Sequence, residues 1–559
     1  MAFLVPAATR PPTWCMDPGR ELTLAQQALF FLQELAPNSS AYNVSGAVNL
    51  HFDVDVELMA TAVRRTVSAH GVLACVFRPA GGEVRRFASR IGPELDVHEL
   101  SLDDDAMRKF ALGLAQRPFR LARQLPIRIA LLRRTDAPDI LLLSGHHIVL
   151  DNVSQLLVLG EILSAYSALR AGKEHVATEA VDFDDFVGRQ RKYLESSLAD
   201  AARKYWQGQL ERAPADGLPT DLPRPAVYQF AGSEVDFELP SGLMTDVEKA
   251  ASSQNTTPFA VLLSTFQLLL HTYSGQTDLV IGYPVTLRAG RRFRESIGYF
   301  VNTLPFRARI DPNASFDTLL KNTSDQLWRG LMHRDYPFAL MPRLVDVKRE
   351  PDRAGLIEVM FVLTAEDPAN PLAATLAPGA RVEHAGLELS EFFVPQQQGQ
   401  FDLTLQVQHN NSAARARLKY NTSLFTEQTA RCLADDFVDL LDAAAHGALP
   451  PRLRDIRDGR DTTTNTAKAE HMSQDTQIEP ASRLAQVRDV VAEVFSAEPA
   501  QVEAAASFED DLDTNSLLAV DLCIRLEADF GISISNDELP QLMTDLRTVY
   551  EFVADKAKW

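Results

Sequence analysis

The sequence predicts an α/β or α+β body built as two lobes, followed by a small all-helical bundle. Three observations lead there. The 559 residues exceed what one ordinary hydrophobic core can hold, so two or three packed units are expected. Up to about Ile456, helical periodicity alternates with short strand-like apolar runs, which implies mixed layers. Beyond a polar stretch at 457–480 the pattern becomes helical.

Taken in order, Met1 to Trp14 lacks the basic start and apolar run of a secretory signal. Ala25 to Leu35 carries a helical pattern, and Ile140 to Leu143 reads as a short buried strand. A break between lobes is expected near Gly172 to Thr178, which divides the body into residues 1–178 and 179–455. Phe259 to Leu270 is the longest apolar run, too short to cross a bilayer and broken by Ser264, Thr265 and Gln267. It reads as a buried helix opened by the turn residues Asn255 to Pro258. Residues 456–480 contain almost nothing apolar and cannot offset their ordering entropy by burial, so a flexible linker is expected. Within it, His471–Met472 reads as the start of a separately encoded protein joined to the first. From 481 to 559, helices are expected over 484–495 and 516–530, then a shorter pair through 542–553.

Charge excludes one class of function. The formal net charge is −20, so a nucleic acid backbone meets repulsion on average. The segment 479–559 holds 17 acidic against 6 basic residues, a net of −11. Such a surface suits docking to basic patches on partner proteins. Cys15, Cys75, Cys432 and Cys523 are far apart with no metal-binding spacing, as in reduced cytoplasmic proteins.

The sharpest chemical pattern is LLLSGHHIVLDNVS, residues 141–154. A strand ends by delivering His146 and His147, and Asp151 follows four residues later. Neighbouring side chains on extended backbone point to opposite sides, so one ring can face a cleft while the other packs inward. A neutral imidazole is suited to take a proton from an attacking amine or hydroxyl. Equally, the pair could be a satisfied core histidine beside a surface one. No third ligand stands at a metal-binding spacing.

HHIVLDNVS resembles the HHxxxDGxS core of nonribosomal peptide synthetase condensation domains. Further motifs occur in the family's order: LTLAQQALFFL (22–32), AHGVLACVF (69–77), IGYFVNTLPFR (297–307), HRDYPFALM (333–341) and FDLTLQV (401–407). The resemblance covers about 20–455. It implies a two-lobed chloramphenicol acetyltransferase-like pseudo-dimer with a tunnel between the lobes, entered from opposite faces by two phosphopantetheine arms. It assigns His147 to position or deprotonate the acceptor, His146 to orient the loop, and Asp151 to a structural pair with Arg288. The backbone N–H of Asn152, after Asp151, would polarise the thioester carbonyl.

The chain departs from the family at several points. Asn152 replaces the usual glycine and, among non-glycine residues, best tolerates positive φ. Ala28, Ala69, Gly71, Ala74 and Cys75 replace the polar residues of the early motifs. These losses leave open a degenerate condensation fold that only recruits a partner. Epimerisation uses the same fold, but no EGHGRE counterpart occurs; heterocyclisation domains carry Asp in place of the first histidine.

Residues 508–534 place Ser516 at a helix start, where a serine by itself reads as an N-cap. The stretch resembles the (L)GxDSL motif of carrier proteins, covering about 481–557. It implies a four-helix carrier bundle with 4′-phosphopantetheine on Ser516, attached by a phosphopantetheinyl transferase, although Asn515 replaces the usual aspartate. No GxSxG elbow surrounds Ser516. With no room for an adenylation domain, the expected partners are an acyl-loaded carrier in trans and other synthetase or polyketide synthase modules. The expected activity is acyl transfer from a carrier thioester to an amine or hydroxyl, without metal or membrane.

Overall fold

The computed structural model describes residues 19–456, except 175–179, 215–216, 289–291, 346–351, 354, 366–371, 373–379, 395–398 and 410–413. It also describes 480–495, 499–505, 544–557 and isolated positions between them. The chain divides into two compact units, Met1–Gly459 and Arg460–Trp559. His471–Met472, Asn515, Ser516 and nearly all of the expected linker lie outside the described residues.

The first unit begins α1 (Leu24–Leu35), β1 (Asn43–Leu50), α2 (Val56–Ala69), β2 (Cys75–Ala80), β3 (Glu83–Ala88), β4 (Leu95–Leu100), α3 (Asp104–Ala115), β5 (Ile127–Arg134), β6 (Asp139–His146) and α4 (Asn152–Arg170). It continues through α5 (Phe183–Leu194), α6 (Ser197–Leu210), β7 (Ser233–Glu238), α7 (Leu243–Ser253), α8 (Pro258–Ser274), β8 (Asp278–Thr286), β9 (Val301–Arg309) and α9 (Phe316–Met332). Last come β10 (Val359–Ala365), β11 (Arg381–His384), β12 (Leu387–Glu391), β13 (Leu403–His409), β14 (Ala414–Tyr420) and α10 (Glu427–Ala445).

Local chemistry sets several of these boundaries. α1 starts in a capping box, with the Thr23 hydroxyl accepting from Gln26 N–H and the Gln26 side chain returning to Thr23 N–H. Asn255 takes a positive φ of 51°, Thr257 caps α8 and Pro258 occupies its first turn, where a missing N–H costs nothing. All twelve side chains from Ala260 to His271 are buried, which is why the run looks apolar without a clean stripe.

Two mixed sheets of six strands carry the lobes, ordered β11-β12-β1-β6-β5-β4 and β7-β14-β13-β10-β8-β9. β6 is the buried heart of the first. All eight of its residues are buried, and it pairs antiparallel with β1 from Asn43↔His146 to Leu50↔Asp139. That register places the histidine pair at one sheet end, beside the start of β1.

Chain order does not divide the cores at residue 178. The hairpin β11–β12 crosses from the second half of the chain and pairs β12 with β1, Val48↔Glu391 to Leu50↔Leu389. It covers an edge that would otherwise expose unpaired backbone. Phe183, Phe186, Phe293, Phe300, Leu387 and Leu389 accordingly pack into the core of the first sheet. The second lobe centres on α8, packed with α7, α9, α10 and its own sheet.

In the second unit, α11 (Pro480–Phe495), α12 (Pro499–Ala504) and α13 (Leu546–Ala557) are described. Val487, Val491, Val502, Phe508, Leu522, Leu526, Val549 and Val553 share one core. Leu522 and Leu526 come from the stripe expected after Ser516. No described helix of the chain is long and apolar enough to cross a membrane.

Truncating Leu389, which is fully buried, tests the crossing strand. Leu389→Ala is expected to destabilise the first unit by about 2–5 kcal/mol, read as a lower denaturation midpoint; an unchanged midpoint would remove the hairpin from the core.

Candidate active site

At the end of β6 the two histidines part. His146 has no exposed surface and uses both ring nitrogens. Its Nδ1 accepts the Ile148 N–H at 3.1 Å, so Nε2 carries the proton and donates to Gln33 Oε1 at 3.1 Å. Burial, with His147 beside it, pushes its pKa down to about 3. This ring is a neutral strut with nothing left to offer a substrate.

His147 is only partly buried. Its backbone N–H donates to the Tyr42 carbonyl at 2.8 Å. Its Nδ1 lies 3.0 Å from the Leu150 carbonyl, a contact that requires Nδ1–H and leaves Nε2 as a free base. Burial is the main influence on its pKa and lowers it. The Leu150 carbonyl and Asp151 oppose that fall, and Lys419 adds to it.

Asp151 caps α4, its Oδ1 accepting the Ser154 N–H at 2.7 Å. Phe300 N–H donates to Oδ2 at 3.1 Å, and Arg288 Nη2 lies 3.0 Å from Oδ1 and 3.2 Å from Oδ2. The same guanidinium donates to the Ser296 and Phe293 carbonyls at 2.6 and 2.9 Å. Its Cζ stands 4.2 Å from the centre of the Phe300 ring. Ser154 completes the knot: its hydroxyl donates to Gly298 O at 2.7 Å and receives Gly298 N–H at 3.0 Å. Both charged side chains are nearly fully buried, at 7% and 3% exposure.

Asn152 does not behave as expected for a glycine substitute. Asp151 reaches the cap in extended backbone, φ −108° and ψ 176°, and Asn152 is simply the first helical residue, not a positive-φ position. The turn needs no left-handed residue here. The Asn152 N–H belongs to the first turn of α4, whose donors have no intrahelical acceptors.

The structure thus brings His146, His147, Asp151, Asn152 and Arg288 together, while Ser516 lies outside the described residues. Three participants had no assigned role in the sequence. Ser154 stood inside the quoted motif. Gln33 and Tyr42 gave no local signal, because their contacts to His146 and His147 span more than a hundred residues. A cavity of about 530 Å³ lies elsewhere, lined by Asn49, Arg108, Arg134, Glu391 and Arg415 among others. Among the described residues, no group of three His, Cys, Asp or Glu side chains could hold a metal.

Comparison with known proteins gives two family matches, a condensation domain over residues 20–452 and a phosphopantetheine attachment site over 485–554. The chain is 33% identical over 451 residues to phosphinothricin tripeptide synthetase PhsC of Streptomyces viridochromogenes, covering 78% of this chain and 40% of that protein. It is 31% identical over 434 residues to a linear gramicidin synthase protein of Brevibacillus parabrevis, covering 76% of this chain and 8% of that protein. It therefore spans well under half the length of either relative. Among solved structures, the X-domain from teicoplanin biosynthesis superposes with a TM-score of 0.70 at 23% identity, covering 80% of this chain and 98% of that one. The four-domain nonribosomal peptide synthetase AB3403 superposes with a TM-score of 0.71 at 23% identity, covering 78% and 33%.

Two measurements test this electrostatic arrangement. Arg288→Ala leaves Asp151 as a buried unpaired charge and is expected to cost about 3–5 kcal/mol of stability, whereas Arg288→Ala with Asp151→Asn should cost less than the sum of the single changes. Between about pH 3, where folded His146 titrates, and its unfolded pKa near 6.5, the unfolded chain binds the extra proton. Stability should therefore rise with pH across that window and fall on acidification. His146→Gln should remove up to roughly 1.4 kcal/mol per pH unit of that slope, seen in denaturant titrations at pH 5 and 7.

Proposed function

This chain belongs to the condensation-domain family, and from its histidine pair we propose that it transfers an acyl group from a carrier-bound thioester to an amine or hydroxyl. The carrying observation is that His147 has Nδ1 committed to Leu150, which leaves Nε2 as the base, while the residue is only partly buried. Its Nε2 then accepts a hydrogen bond from the nucleophile's N–H or O–H as that atom attacks the thioester carbonyl. The new C–N or C–O bond forms, the C–S bond breaks, and the proton lost by the nucleophile ends on the departing thiol. Holding two reactants in one cleft supplies much of the rate. The amide dipoles at the start of α4, beginning at Asn152, favour negative charge developing on the carbonyl oxygen.

The phosphopantetheine attachment site matched over 485–554 would supply a thiol on a long arm, able to hold an acyl or aminoacyl group as a thioester. The matching serine of the motif is Ser516. Leu522 and Leu526, six and ten residues later, are buried in the core of that unit, which supports this reading. The remaining reactant comes from another carrier or as a free small molecule in a cytoplasmic setting. Loading requires a phosphopantetheinyl transferase and the modules of a nonribosomal or hybrid polyketide assembly line.

Incubation with a phosphopantetheinyl transferase and coenzyme A should add one arm to the intact chain by mass spectrometry, and none to Ser516→Ala. In turnover with acyl thioesters and a panel of amines and alcohols, His147→Ala should keep the wild-type melting temperature and lose about a hundredfold or more in rate. Full activity in that variant would rule out the base; an inert recruitment role predicts no product from either protein. Because the folded pKa of His147 lies below the usual 6.5, the base is neutral at pH 7 and the rate should stay level from pH 8 to 7. It should decline only as acid protonates the ring, with the His147-dependent part of the rate read at each pH.

A further inference from the structure

The run Ser296–Phe300, leading into β9, is held more tightly than the ion pair alone requires. Gly298 has both its N–H and its carbonyl on the Ser154 hydroxyl, and a Cβ added there would fall 2.0 Å from Phe183 Cδ2. Phe300 is fully buried beneath Arg288, with its N–H on Asp151. Between these two anchored residues stands Tyr299, partly buried at the margin of the first sheet's core. Its ring meets His147 edge to face, with centroids 5.7 Å apart and planes at 64°.

Two further rings stand nearby. Tyr42, whose carbonyl holds the His147 N–H, has its ring 6.3 Å from His146 and 6.4 Å from Phe230. Phe230 precedes β7 and so arrives from the other sheet. Tyr42, Phe230 and Tyr299 are all half-buried rather than sealed. Burial pushes the phenols of Tyr42 and Tyr299 well above the ordinary tyrosine value, and Tyr299 adds to the rise at Tyr42. Both rings are therefore uncharged at any working pH. Lys419 stands opposite Glu234 in the β7–β14 register, and burial lowers its pKa while Glu234 opposes that fall.

We propose that Tyr299, with Tyr42 and Phe230, forms an aromatic-walled subsite beside His147 that takes a flat, uncharged aromatic substituent of a reacting group and disfavours a carboxylate. Ring edges and faces at these separations stabilise another aromatic group, while a carboxylate entering among these uncharged rings loses hydration. The subsite rests on the acyl-transfer reading, since its occupant is a part of one reactant. It adds to that reading a substrate class and a specificity-determining residue.

The test uses the full chain and pantetheine amides, which bind as the thioesters do but do not react. One probe carries a phenylacetyl group and the other a succinyl group with a free carboxylate; calorimetry gives the ratio of their affinities. Wild type should prefer the phenylacetyl probe by about fivefold to tenfold. Tyr299→Phe should keep that preference, and Tyr299→Ala should lose most of it. Should Tyr299→Ala melt early, Tyr299→Leu and Phe230→Ala give the same reading with more of the volume kept. Equal affinities in wild type, or a ratio untouched by removing the ring, would overturn the subsite. Turnover separates the two ideas: product with a ratio near one leaves acyl transfer standing and the subsite refuted. A retained ratio without product from any nucleophile does the reverse.

Discussion

A single buried carboxylate organises this molecule around its paired histidines. Asp151 receives the first turn of α4 through Ser154, the Phe300 N–H, and the Arg288 guanidinium. These groups come from segments about 140 residues apart in the chain, and the contact joins the helix after His147 to the run that carries Tyr299. Its value lies less in net stability than in registry. A buried ion pair is often no better than a well-packed apolar one, yet either charge left alone is expensive. Both partners must therefore arrive together, and with them the backbone that frames His147.

The same constraint explains how adjacent histidines acquire different chemistry. They share a sequence context, but the strand alternation sends His146 into a fully buried site where both nitrogens are used. His147 instead spends one nitrogen on Leu150, which leaves Nε2 as the basic nitrogen. Burial lowers the pKa of both. In one ring this produces a permanent spacer; in the other it keeps a base unprotonated near neutrality. The function proposed for the chain depends on that difference.

The crossing hairpin contributes mechanically. β12 covers the edge of β1, and His384 at the end of β11 reaches α4, its Nε2 lying 3.0 Å from the Gly160 carbonyl and 2.9 Å from Ser164 Oγ. Gln400 donates to the Ala41 carbonyl, next to Tyr42. Late chain segments thus brace both β1 and the helix that follows the histidines. The two halves of the first unit form one interlocked body with a shared site.

Much of the outline was legible in the residues alone. The helices at Leu24–Leu35 and Pro258–Ser274 announce themselves through caps and apolar periodicity, and β6 through its apolar run, because these signals are local. Arg288 was assigned as the partner of Asp151 through a resemblance, not through geometry. What no linear reading supplied was the exchange of β11–β12 into the first sheet, the use of Gln33 and Tyr42, the ordinary helical backbone at Asn152, and the aromatic surroundings of His147. Each of these follows from where remote segments meet. Patterning tells a residue whether to be inside, whereas long-range packing alone decides which neighbour, which nitrogen and which face it receives.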